Sequence, residues 1–168
     1  QEVAAERGLR FTLDSGFRER HLLPEIMTGG AALFDMENDG DLDIYLVQAG
    51  SLADSLHRRG NRLYGNDGGG FFTDVTAGSG TGHRGYGMGV GVGDVDGDGF
   101  ADLFVTNFGP NLLLRNAGAG LFEDISRPAG GDEDSWGASA CFFDMDRDGD
   151  LDLFVANYLD WSVETDQE

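Results

Sequence analysis

The chain has 168 residues, with 31 Asp plus Glu against 11 Lys plus Arg and a formal charge of −20. All 11 basic residues are arginine, which excludes Schiff-base lysine chemistry and Walker-type phosphate binding. So acidic a surface repels a phosphate backbone and sets nucleic acid aside as a partner, while 40% hydrophobic and 11% aromatic residues suffice for a core in one domain-sized chain.

Taken in chain order, the sequence is a set of repeats. Glu2-Val-Ala-Ala-Glu-Arg-Gly8 lines up with Asp74-Val-Thr-Ala-Gly-Ser-Gly80, so residues 1–8 are predicted as the last strand of a preceding unit. The unit 27–76 contains Leu33-Phe-Asp-Met-Glu-Asn-Asp-Gly-Asp-Leu-Asp-Ile-Tyr-Leu-Val47, then a polar stretch 48–60 expected as a surface loop. It closes on Asn61-Arg-Leu-Tyr-Gly-Asn-Asp-Gly-Gly-Gly-Phe-Phe-Thr-Asp-Val-Thr76. The unit 85–126 repeats both motifs, as Val92-Gly-Asp-Val-Asp-Gly-Asp-Gly-Phe-Ala-Asp-Leu-Phe-Val-Thr106 and Asn111-Leu-Leu-Leu-Arg-Asn-Ala-Gly-Ala-Gly-Leu-Phe-Glu-Asp-Ile-Ser126. Residues 135–160 supply only the first motif, Phe142-Phe-Asp-Met-Asp-Arg-Asp-Gly-Asp-Leu-Asp-Leu-Phe-Val-Ala156, and 161–168 read as a polar tail.

Within a unit the pattern is all β. Tyr86-Gly-Met-Gly-Val-Gly-Val-Gly93 alternates glycine with apolar residues, which predicts a strand whose glycine face meets another backbone closely. Trp136-Gly-Ala-Ser-Ala-Cys-Phe-Phe143 holds the same place in the third copy, where Cys141 reads as a small buried apolar residue. The apolar runs 44–47, 103–105 and 153–155 predict strands buried on both faces. The Asn-x-Leu and Phe-x-Asp-Val-Thr segments predict a hairpin. Four short antiparallel strands per unit of roughly 50 residues predict β-propeller blades, and 168 residues hold an incomplete propeller of about two and a half to three.

Each first motif carries a loop of the form D-x-[DE]-x-D-G-x-x-D, at 35–43, 94–102 and 144–152. Its oxygens come from Asp35, Glu37, Asp39, Asp41 and Asp43; from Asp94, Asp96, Asp98 and Asp102 with the Phe100 carbonyl; and from Asp144, Asp146, Asp148, Asp150 and Asp152. Alternate carboxylates on a tight turn converge on one point, and the glycine at position six allows the turn. Hard oxygen donors in that number suit Ca²⁺ better than Mg²⁺. An EF-hand needs Glu at position 12 and flanking helices; position 12 here is Leu46, Val105 or Val155. The expectation is therefore three β-type calcium sites, structural and not catalytic, since no coordination position is left for a substrate. These loops hold 14 of the 31 acids, and three Ca²⁺ bring −20 to −14.

At these residues the sequence resembles the FG-GAP repeats of integrin α-subunit propellers. Tyr86-Gly87 and Trp136-Gly137 stand where that motif has Phe-Gly; Thr28 replaces the glycine in the first copy, and the closing Gly-Ala-Pro is replaced by Thr106-Asn107-Phe108 and Ala156-Asn157-Tyr158. The run Leu22-Leu23-Pro24-Glu25-Ile26-Met27, the paired Asn-x-Leu-Tyr and Phe-x-Asp-Val-Thr segments and Val155-Ala-Asn-Tyr-Leu-Asp-Trp161 look more like the cartilage acidic protein family and its bacterial relatives. That resemblance implies an exported, calcium-binding propeller used as an interaction surface, and no reaction.

Other candidates are weaker. His21, His57 and His83 read as loop histidines, and the glycines at 78–82 and 85–93 fit neither a nucleophile elbow nor a dinucleotide loop. Arg18, Arg20 and the pair Arg58-Arg59 suit an anionic partner or surface carboxylates. The functional expectation is a non-catalytic module contacting protein or glycan outside the cell or in the periplasm, where such calcium sites fill. The alternative is a structural module that closes a ring or fibre with other copies, or is completed by further blades of a longer chain, through its open edges. No apolar run approaches the roughly 20 residues of a membrane span, and a chain starting at Gln1 without a leader is expected to be processed or excerpted.

Overall fold

The computed structural model describes residues 2–17, 22–129 and 135–162. Strands β1 (Gly30–Phe34), β2 (Asp43–Val47), β3 (Arg62–Asn66) and β4 (Phe72–Asp74) form one antiparallel sheet in that order. β5 (Gly87–Gly93), β6 (Asp102–Asn107), β7 (Leu112–Asn116) and β8 (Phe122–Asp124) form a second, and β9 (Gly137–Phe143) pairs with β10 (Asp152–Asn157) in a third. The protein is all β, with a single short helical stretch at Thr76–Ser79 and 3₁₀ turns at Leu23–Ile26 and Ser55–His57 among the described residues. Register repeats between sheets: Leu33 faces Ile44 and Ile44 faces Tyr64, as Val92 faces Leu103 and Leu103 faces Leu114.

The first strands of the three sheets lie side by side, and glycine makes this possible. A Cβ on Gly30 would fall 3.0 Å from Gly89 Cα, one on Gly89 3.0 Å from the Ala138 carbonyl oxygen, and one on Gly93 2.8 Å from the Phe142 ring. The alternation of glycine with apolar residues in β5 is thus the backbone-to-backbone contact that the sequence predicts. The main core fills the space between the first two sheets, where Phe34, Tyr45 and Leu63 meet Leu103, Leu114 and Phe122. Phe34 and Phe122 pack edge to face at 6.3 Å.

Several expectations are corrected. Residues 4–8 form turns, not the strand expected for 1–8. The alignment behind that expectation nevertheless has a structural basis. Gly8 (φ 92°) presses on the carbonyl of Phe72 as Gly80 (φ 85°) presses on that of Phe122, so both segments are turns packed against the outer strand of a sheet. The loop expected at 48–60 begins inside the protein, with Gln48 and Ala49 buried. β6 is buried on both faces, but Leu153 and Phe154 of β10 are 38% and 59% exposed, because no third and fourth strands cover β10 among the described residues. Cys141 is exposed on the same sheet instead of buried. Trp161, assigned to a polar tail, packs against Phe108 at 5.5 Å and Trp136 at 6.0 Å. Arg18, Arg20, His21 and residues 163–168 lie outside the described residues.

Candidate metal centre

Each acidic loop is turned twice by left-handed backbone. At position four, Asn38, Gly97 and Arg147 have φ of 61°, 71° and 65°; at position six, Gly40, Gly99 and Gly149 have φ of 93°, 92° and 100°. The glycine is legible in the sequence, whereas three different residue types at position four hide the first turn. Position one caps the turn. Asp35 accepts the N–H groups of Asp39 (3.0 Å) and Gly40 (2.8 Å), Asp94 those of Asp98 (3.2 Å) and Gly99 (2.9 Å), and Asp144 those of Arg147 (2.6 Å) and Gly149 (3.2 Å).

Position nine ties the loop to its sheet. Asp43 accepts from Met36 N–H (2.8 Å) and Asn66 N–H (2.9 Å), and Asp102 from Val95 N–H (2.8 Å) and Asn116 N–H (2.7 Å). Both residues are essentially buried, at 1% and 0% exposure. Asp152 accepts from Met145 N–H (2.8 Å) but is only partly buried, since no hairpin among the described residues supplies it with the counterpart of Asn66 and Asn116.

Carboxylate oxygens of Asp94, Asp96 and Asp102 lie within 4.8 Å of one another, as do those of Asp144, Asp146 and Asp148. The first loop forms no such group among the described residues; it has Glu37 in place of Asp at position three, and its Asp41 carboxylate lies toward Gly68. At position five, Asp39, Asp98 and Asp148 each accept the N–H of position seven, from Asp41 (3.0 Å), Phe100 (2.9 Å) and Asp150 (3.0 Å).

The electrostatics are those of sites that favour a cation. Burial pushes the carboxyls of Asp43 and Asp102 above their ordinary value against two backbone hydrogen bonds, with the neighbouring aspartates adding to the rise. Burial also raises Glu37, again helped by nearby carboxylates, whereas the N–H of Gly40 leads the bonds that hold exposed Asp35 low. The one ion pair to a loop carboxylate among those described comes from Arg115, 3.7 Å from Asp96 and 2.6 Å from Glu123.

Neighbouring loops touch. Asn38 Nδ2 donates to the Gly99 carbonyl (2.8 Å), and Asn116 Nδ2 to the Met36 carbonyl (2.9 Å), so one blade's loop is bound to the next. Side-by-side four-stranded antiparallel sheets, with carboxylate loops between their first two strands, define a protein of the repeat-propeller class. The FG-GAP-like repeat family matches the chain twice, over residues 35–105 and 94–155. The chain belongs to this family, whose members are in general non-enzymatic interaction modules. No curated protein matches it.

Proposed function

We propose that the chain is a calcium-binding, non-catalytic propeller segment that contacts a protein partner outside the cell. The observation that carries the metal assignment is the convergence of Asp94, Asp96 and Asp102 within 4.8 Å, in a loop whose backbone is fixed by its own carboxylates. Asp98 and the Phe100 carbonyl complete an all-oxygen set suited to Ca²⁺. Asp144, Asp146, Asp148, Asp150 and Asp152 form a second site, and Asp35, Glu37, Asp39, Asp41 and Asp43 a third that closes around the ion. The units carrying them are 27–76, 85–126 and 135–160. The ion clamps two strands together and offers no reaction centre.

The topology supports a separation of metal from partner. In an antiparallel blade the β1–β2 and β3–β4 turns fall on one face, while the β2–β3 loop and the link to the next blade fall on the other. The calcium loops occupy the first face, leaving the second free for recognition. No described helix is long and apolar enough to cross a membrane; together with the family and the millimolar calcium such sites need, this supports an exported protein. Isothermal calorimetry tests the assignment: up to three Ca²⁺ bind, with Mg²⁺ much weaker, and absence of binding at millimolar calcium refutes it.

The exposed apolar face of β9 and β10 favours a second reading, in which a hairpin from another copy or from further chain completes that blade. Sedimentation in calcium and in chelator separates the two: a monomer under both conditions refutes self-assembly.

A further inference from the structure

The second strand of every sheet ends on or beside a residue bearing a side-chain amide, Gln48, Asn107 or Asn157, and the surroundings of the three differ. Gln48 is saturated by the chain's own backbone: its Oε1 accepts Asp14 N–H (2.7 Å) and its Nε2 donates to the Thr12 carbonyl (3.0 Å). The Asp14 carbonyl in turn accepts Gly50 N–H (2.7 Å), and the Tyr86 hydroxyl donates to the Ser15 carbonyl (2.9 Å). A stretch of peptide therefore lies across the end of the first blade. Asn157 accepts from the Ser135 hydroxyl (3.3 Å).

Asn107 has no such cover. Its N–H donates to Asn111 Oδ1 (2.9 Å), as Gln48 N–H donates to Asn61 Oδ1 (2.8 Å), and its Nδ2 donates to the Pro110 carbonyl (2.9 Å). Among the described residues its Oδ1 accepts nothing, although the residue is only 1% exposed, and a buried acceptor without a donor costs on the order of 1–3 kcal/mol. Asn111 is also less satisfied than its counterpart: Asn61 Nδ2 donates to the Tyr45 hydroxyl (2.7 Å), and the residue in that place of the second blade is Phe104. Chain length explains the difference. Residues 12–15, in the longer stretch of chain before β1, supply the covering peptide, whereas the short link 81–86 leads straight into β5.

Asn107 Oδ1 faces Gly85, where a Cβ would fall 2.4 Å away, and both residues line a cleft of about 450 Å³. Among the described residues, Arg58 and Arg127 stand around the same cleft against one carboxylate, Asp124, and burial lowers the pKa of His83 beside them and favours its neutral form. In a chain of −20 this is a local excess of positive charge. Arg58 is held in place by Nε donating to the Ser51 carbonyl (2.8 Å) and by the Tyr86 ring 5.4 Å from its guanidinium carbon.

We propose that this cleft binds an extended acidic peptide segment of a protein partner, with a backbone N–H of the peptide on Asn107 Oδ1 and its carboxylates on Arg58 and Arg127. The first blade supplies the internal precedent, since Asp14 N–H on Gln48 is the same contact made within the chain. The proposal rests on the partner-binding reading above and narrows it to one site and one chemistry.

The test is an NMR titration of the calcium-saturated chain with acetylated, amidated Gly-Ser-Asp-Glu-Gly-Ser, with the same peptide carrying Asn and Gln for its acids, and with glucuronate. The acidic peptide is expected to shift the Gly85 amide and the Asn111 side-chain amide saturably, and to bind at least fivefold more tightly than the neutral one. Arg127→Gln, at an exposed position that leaves the fold intact, is expected to weaken the acidic peptide about fivefold and the neutral one not at all. Equal binding of both peptides, no effect of Arg127→Gln, no saturable shift, or glucuronate binding in place of the peptide overturns the proposal. Calcium uptake is measured on the same samples, so loss of peptide binding with uptake intact refutes the cleft and not the metal assignment.

Discussion

Removing calcium should lower stability by an amount that can be worked out site by site. A site with Kd on the order of 0.1 mM, in the range of extracellular calcium modules, is about 100-fold saturated at 10 mM calcium. Linkage then gives about 2.7 kcal/mol per site. For a chain of this size each kcal/mol moves Tm by about 2–4 °C, so one site is worth about 5–11 °C. Asp102→Asn isolates the second loop. Asp102 is buried and accepts two backbone N–H groups, and asparagine keeps only one acceptor. That loss costs about 1 kcal/mol and is partly offset by discharging a buried carboxylate. The variant should therefore differ little from the parent in chelator and lose about 2.7 kcal/mol more in calcium. Scanning calorimetry of both proteins under both conditions gives this double difference directly. A Tm that moves by less than about 1 °C on chelation, or a double difference near zero, refutes the reasoning.

Three further outcomes follow from packing and titration. Phe104 and Phe154 hold the same place in their repeats but are 2% and 59% exposed, so Phe104→Ala should cost about 3–5 kcal/mol and Phe154→Ala under about 1 kcal/mol in urea melts. Gly89→Val places a Cβ 3.0 Å from the Ala138 carbonyl oxygen and 3.1 Å from Thr106 Oγ1, which should destabilise the protein by about 1–3 kcal/mol in the same assay. In chelator the Asp102 carboxyl should titrate above its ordinary 3.8 by carbon NMR, because burial penalises the charged form. Its stabilising contribution is then complete below pH 3.8 and lost as pH rises through the raised value; calcium, which favours the charged form, should bring the midpoint below 3.8.

The strand order, the acidic loops and the glycine contact were legible because each rests on local spacing. Asp94 and Asp102 sit where the D-x-D-x-D-G-x-x-D pattern puts them, and Gly89 and Gly93 where the alternation puts them. What stayed hidden depends on partners distant in sequence. Leu153 and Phe154 have the composition of Leu103 and Phe104, and they are exposed because no hairpin among the described residues covers them. Asn107 is hidden for the same reason. Nothing local distinguishes it from Gln48; the difference lies in whether a segment some 34 residues earlier in the chain reaches it. The left-handed residue at position four left no trace, since Asn38, Gly97 and Arg147 share only a backbone angle.

The acidic loop of the second blade and the cleft are opposite ends of the same two strands. β5 ends at Gly93 beside Asp94 and begins beside Gly85 and Tyr86; β6 begins at Asp102 and ends at Asn107. An ion held by Asp94, Asp96 and Asp102, as proposed, would clamp one end of a strand pair whose other end carries the unsatisfied Asn107. Six extended residues span about 20 Å, while exposed charges are screened over about 8 Å at physiological salt. The 14 loop carboxylates thus repel an acidic peptide at the cleft only weakly, and bound calcium weakens them further. The coupling expected between the two faces is mechanical: β6, buried along its whole length, transmits the position of its clamped end to Asn107. Chelation should accordingly weaken the acidic peptide even at high salt, where a purely electrostatic coupling would vanish.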